Sequence, residues 1–226
     1  MDLKSKYMKV QNFLIEWLRT LDRGLVWAIF GIIICGIFLI FSASPAVAER
    51  VFRSKDSFYF IKKQLLFLIP SLGVMFGVSM LSPKHIRRLA FLIFVGFVFL
   101  MVCTLFAGAE IKGAKRWLNF PGVSVQPSEF VKPAFAVVCA WIFASGRLIK
   151  GFPGIPIAGF IYLFVISVLM LQPDFGMTIT MSAIWGSQLF LAGITFWWIT
   201  ILSVLGVSGV GLAYMFFPHI HSRINL

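Results

Sequence analysis

Residues 89–107 read LAFLIFVGFVFLMVCTLFA, nineteen in a row without a charged side chain. A helix needs roughly 20 predominantly apolar residues to cross the hydrocarbon core of a bilayer. The run is full of Phe and β-branched residues, which a lipid-facing helix tolerates. Working outward, the same reading applies to Leu25–Ser44, Gln64–Leu81, Pro127–Ser145, Ile155–Leu171, Phe175–Ile194 and Trp197–Phe217. The expected fold class is therefore all-α: a polytopic integral membrane helix bundle with seven spans present, Leu89–Ala107 being the third. Composition agrees. The chain has 226 residues, 60% hydrophobic and only 12% charged, with a mean hydropathy of +0.95. A soluble domain is nearer half apolar and one-quarter charged, so a soluble globular enzyme and a disordered chain are both excluded. Twenty Lys and Arg against eight Asp and Glu give +12 at pH 7. In a lipid-borne chain this reads as interfacial anchoring and affinity for anionic headgroups or phosphates, not as nucleic-acid binding.

The first span follows a basic leader, and Ala46-Val47-Ala48 fits a signal-peptidase site. The apolar run is too long for a signal peptide and further spans follow, so it reads as uncleaved. With the N-terminus cytoplasmic, ten basic residues fall inside and nine outside, and Lys132 lies within a span. The positive-inside rule leaves this a tie, and basic residues kept outside point to an anionic ligand. Cys35, Cys103 and Cys139 fall mid-span as small apolar packing residues. Gly73 and Gly77 have the spacing of a close helix–helix contact. His219 and His221 alone make a poor metal site.

Charged groups inside spans are costly and usually functional. The fourth span opens Gln126-Pro127-Ser128-Glu129-Phe130-Val131-Lys132. Proline suits a first helical turn, where Glu129 is favoured by the helix dipole. Lys132 follows on the same face, about 4.5 Å deeper. Pro133 then removes one intrahelical bond. The fifth and sixth spans are separated only by Gln172-Pro173-Asp174, requiring a tight turn or a broken helix. Because the fourth and fifth spans run antiparallel, the two Gln-Pro-acid elements meet in one leaflet, with buried Lys132 between or below two carboxylates. The alternative is a buried ion pair that only fixes register. The segment from Gly108 to Gln126 reads as a loop. Its adjacent Lys115 and Arg116 suit phosphate oxygens, and Trp117 suits the headgroup level or a sugar ring.

These motifs, Gly113-Ala114-Lys115-Arg116-Trp117, Gln126-Pro127-Ser128-Glu129 with Lys132, and Gln172-Pro173-Asp174-Phe175-Gly176, together resemble the SEDS family. SEDS stands for shape, elongation, division and sporulation. Ser42-Ala43-Ser44 fits as well, and Lys115–Phe120, Phe130–Phe135 and Trp185-Gly186 resemble most its FtsW branch. The resemblance implies ten spans and a cytoplasmic N-terminus in the bacterial inner membrane. It also implies a glycosyltransferase at the outer face that polymerises lipid II for peptidoglycan synthesis. A division-septum location follows, with a class B penicillin-binding protein of the FtsI type and other division proteins as partners. The substrate-binding set is Lys115, Arg116, Trp117, Gln126, Ser128, Glu129, Lys132, Gln172 and Asp174. Lys132 and Arg116 are expected to stabilise the departing pyrophosphate. Three roles stay open for Glu129 and Asp174: orienting Lys132, holding a divalent cation (magnesium or manganese) with the pyrophosphate, or contacting the incoming hydroxyl.

The expected organisation is a cytoplasmic leader at 1–24, a membrane domain at 25–217, and the start of a large outer loop at 218–226. In the family that loop carries the catalytic base, so no residue up to Leu226 takes this role. Two other readings compete with the enzyme: a lipid II transporter (flippase), and a non-catalytic fragment serving as a scaffold of the division machinery.

Overall fold

The computed structural model describes residues 3–52, 58–111, 114–120 and 123–194, and singly residues 197, 200, 201 and 204. Most of the expected seventh span, all of 218–226, and both His219 and His221 lie outside the described residues. The chain forms two compact units, Met1–Ser82 and Pro83–Leu226.

The first unit contains α1 (Leu3–Thr20), α2 (Arg23–Phe52) and α3 (Tyr59–Ser79). In α1, positions 3, 7, 10, 14 and 17 are Leu, Tyr, Val, Leu and Trp, the three-and-four spacing of an amphipathic helix. Trp17 Nε1 donates to Ser79 Oγ at 3.1 Å, and its ring meets Phe76 edge-on with centroids 6.0 Å apart. Asp22 caps α2 by accepting from the Leu25 N–H at 3.1 Å. α2 continues well past Ser44, where the expected span ends. Gly73 and Gly77 mark no close contact: a Cβ on either meets nothing within 4 Å among the described residues.

The second unit contains α4 (Pro83–Ala107), a three-stranded sheet, α5 (Pro127–Leu148), α6 (Gly154–Leu171) and α7 (Phe175–Leu191). Three ring contacts set the antiparallel register of α4 and α5. Phe97 stacks on Phe130 at 4.4 Å, Phe94 meets Phe135 at 6.3 Å, and Arg87 lies over Trp141 at 5.9 Å. Descending α4 is matched by ascending α5. Met101, Phe135, Cys139, Val165, Leu169 and Met181 form the buried centre. The α5–α6 corner depends on two glycines: a Cβ on Gly154 would stand 2.7 Å from the Ile142 carbonyl oxygen and 3.0 Å from the Gly146 Cα. Gly151 turns the chain between them with φ 81°, a conformation that favours glycine.

Five helices among the described residues, α2 to α6, are long and apolar enough to cross a membrane. The protein is a multi-pass membrane protein built as an all-α bundle. α7 covers the expected sixth span but ends at Leu191 after 17 residues, about 26 Å of helix.

The segment read as a loop, Gly108 to Gln126, is where expectation and structure part. It holds β1 (Ala109–Ile111), β2 (Ala114–Phe120) and β3 (Val123–Val125), antiparallel in that order. Ala109 pairs with Trp117, Glu110 with Lys115 and Ile111 with Ala114, with a bulge between Ala109 and Glu110. Leu118, Asn119 and Phe120 pair with Val125, Ser124 and Val123. The short sheet sits on the α4–α5 end of the unit.

Candidate functional site

β2 carries a bulge at its basic residues: Ala109 and Glu110 are neighbours, but their partners Trp117 and Lys115 stand two apart, with Arg116 between them. A bulge interrupts the regular alternation of a strand and re-aims a side chain. Ala114 is buried, Arg116 half-buried, and Lys115 exposed between them. Arg116 reaches toward the helices, whereas Lys115, level with Glu110, is exposed. Trp117, level with Ala109 on the far side of the bulge, is half-buried.

Arg116 Nη1 lies 3.2 Å from Asp174 Oδ1. The Asp174 side chain is only 6% exposed, so its charge needs donors. Gln126 Nε2 donates to Oδ2 at 3.4 Å and also reaches Ser128 Oγ at 3.2 Å. The Met177 N–H donates to Oδ1 at 3.2 Å, so Asp174 is also the N-cap of α7. Its main-chain carbonyl accepts from Thr178 Oγ1 at 2.8 Å. The sheet, the start of α5 and the α6–α7 turn thus converge on one carboxylate.

The two Gln-Pro-acid elements do meet, through Gln126 and Asp174. The cation between them is Arg116, not Lys132. Lys132 Nζ pairs with Glu129 Oε2 at 2.9 Å, one turn along α5. It is not buried as expected: the Lys132 and Glu129 side chains are 31% and 53% exposed. The physical reason is the helix face: in these same turns Ser128 and Val131 are turned inward and buried, while Glu129 and Lys132 project from the side the bundle leaves open.

Gln172 is enclosed. Its Nε2 donates to the Met101 carbonyl at 2.8 Å and to Thr104 Oγ1, and both Gln172 and Thr104 are buried. This ties the end of α4 to the turn that presents Asp174. Thr104 was not picked out in the sequence. Its signal was available: a hydroxyl side chain near the end of an otherwise apolar span.

The carboxylates considered for a divalent cation are engaged within the protein. The two carboxylates, Glu129 and Asp174, are each paired with a basic side chain, and the described residues contain no group of three metal-binding side chains. A cleft of about 370 Å³ between α2 and α3 belongs to the first unit and includes none of these residues.

Residues 23–225 match the family model FTSW_RODA_SPOVE, described as cell cycle protein. The chain belongs to the SEDS family. Its relatives place it nearest the FtsW branch. A protein of Caulobacter vibrioides named "Probable peptidoglycan glycosyltransferase FtsW" is 39% identical over 92% of this SEDS chain and 53% of its own length. One of the same name from Aromatoleum aromaticum is 33% identical over 92% of this chain and 52% of its own. The chain spans about half the length of the curated relatives it matches. The crystal structure of Thermus thermophilus rod shape determining protein RodA aligns with TM-score 0.68 and 24% identity, over 83% of this chain and 59% of that one. A chain from a peptidoglycan synthase complex aligns with TM-score 0.70 and 22% identity, over 91% of this chain and 58% of its own. At these identities the two structures show that the SEDS fold is shared.

Proposed function

We propose that the chain is part of an FtsW-type peptidoglycan glycosyltransferase that polymerises lipid II at the outer face of the bacterial inner membrane. On this reading it has a cytoplasmic N-terminus and acts at the division septum beside a class B penicillin-binding protein of the FtsI type. The relatives' names support the activity, and one relative's structure comes from a peptidoglycan synthase complex. Within the membrane domain at 25–217, α7 and the segment after it supply the sixth and seventh spans.

The observation that carries the reading is the convergence of Arg116, Gln126 and Asp174 beside the more open Lys132–Glu129 pair. In glycan transfer a sugar hydroxyl attacks the donor's anomeric carbon, and the bond to a lipid pyrophosphate breaks. Negative charge develops on the leaving oxygens. Fixed cations aimed at that charge are the usual source of acceleration. A guanidinium has five N–H donors, and the Asp174 contact engages one nitrogen of Arg116. Asp174 thus aims Arg116, leaving other donors for phosphate oxygens. Lys132, one-third exposed, can exchange Glu129 for a phosphate. Gln172, through Thr104, holds the turn, while Lys115 and Trp117 contact the substrate from either side of Arg116 on β2. Ser128 and Gln126 hold the start of α5. The base that deprotonates the hydroxyl is assigned to none of these residues.

Arg116→Ala and Lys132→Ala, each made in the full-length protein, should lower the polymerisation of purified lipid II by about 100-fold. Normal turnover by well-folded variants would overturn the assignment. Lipid II movement across proteoliposomes without glycan formation would favour the transporter. Neither activity in the wild-type protein would leave the scaffold reading.

A further inference from the structure

The described charges of the second unit are sorted by end. Its acidic positions, Glu110, Glu129 and Asp174, all lie at the sheet end. The opposite end, where α4 begins and α5 finishes, carries Lys84, Arg87, Arg88, Arg147 and Lys150, and no acidic residue. Two of these cations are seated by packing. Arg87 lies over the Trp141 ring at 5.9 Å, and its Nε donates to the Pro83 carbonyl at 3.3 Å. Arg147 lies against the turn at Gly193, where a Cβ would stand 2.5 Å from the guanidinium. Lys84, Arg88 and Lys150 are exposed.

We infer that this end is a docking surface for anionic phospholipid headgroups of the leaflet opposite the site. Depth favours lipid over a soluble acidic protein. The Arg87–Trp141 contact puts the first tier of cations level with a 40% exposed tryptophan, a residue type enriched at headgroup level. From Trp141 to the end of α5 at Leu148 the helix advances about 10 Å, and Arg147 and Lys150 lie there. Headgroup layers are about 5–8 Å thick on each side of the hydrocarbon, so the two tiers bracket one such layer. Phosphodiester groups supply the counter-charge that the second unit lacks at this end.

The test measures spin-labelled phosphatidylglycerol against spin-labelled phosphatidylcholine on the full-length protein in nanodiscs. The wild type should prefer phosphatidylglycerol, less so as salt rises. The triple variant K84Q/R88Q/K150Q should lower that preference by about five-fold or more. The charge-preserving K84R/R88K/K150R should keep it. Equal association in the wild type would overturn the inference. So would an unchanged preference in the glutamine variant, its loss in the charge-preserving variant, or insensitivity to salt.

Discussion

A carboxylate removed from water needs donors, and Asp174 draws them from three elements: Arg116, Gln126 and the Met177 N–H. Two of its duties are separable by substitution. Asparagine caps a helix about as well as aspartate but carries no charge for Arg116. Asp174→Asn should therefore keep the fold and lose lipid II polymerisation. Asp174→Ala should lose polymerisation and also lower stability by about 1–2 kcal/mol, through loss of the cap. Thermal unfolding beside a polymerisation assay distinguishes the two, and a D174N protein with wild-type turnover would refute the role given to the charge. Asp174 was legible in the sequence because Gln172-Pro173-Asp174 interrupts an apolar run. Its partner was not. Lys132 and Glu129 stand three apart on a helix and pair locally, but the Arg116 contact depends on where a strand face points, which no linear spacing states.

At the scale of elements, strand β2 decides how Lys115 and Arg116 divide their work. The bulge in β2 turns Arg116 onto Asp174 and leaves Lys115 exposed. Lys115→Ala should accordingly leave at least ten-fold more polymerisation activity than Arg116→Ala, a margin of about 1.4 kcal/mol in barrier. Equal losses would mean that both cations serve one group. The sheet escaped the sequence reading because β1 and β3 have three residues each, too few to show an alternating pattern against a basic, glycine-containing background. The helices were legible because their signal is long and apolar. The glycine corner behaves oppositely to the Gly73–Gly77 pair: among the described residues the spacing motif meets nothing within 4 Å, and the close approach falls at Gly146 and Gly154. Gly154→Ala should destabilise the second unit by about 1–3 kcal/mol, read as a lower unfolding temperature of the full-length protein, whereas Gly73→Ala should be nearly neutral.

For the whole molecule, basic-residue counting is a near tie, yet within the second unit the two ends differ in kind. At the sheet end Arg116 and Lys132 have acidic partners, while the opposite end has cations alone. Single cysteines at Asn119 and Lys84, in a chain whose Cys35, Cys103 and Cys139 are replaced by Ser or Ala, should react with an impermeant thiol reagent from opposite sides of the membrane. Labelling from the same side would show that α4 does not cross the membrane. The contacts around Asp174 also carry an order in time. Gln126 lies 48 residues before it, and Thr104 lies 68 before Gln172. As the ribosome delivers the chain, every one of these earlier groups has already left the exit tunnel or entered the bilayer when the Gln172-Pro173-Asp174 turn emerges. The enclosed carboxylate arrives after Arg116 and Gln126 and just ahead of Met177, so Arg116 must wait in the headgroup region until a single late turn completes the assembly.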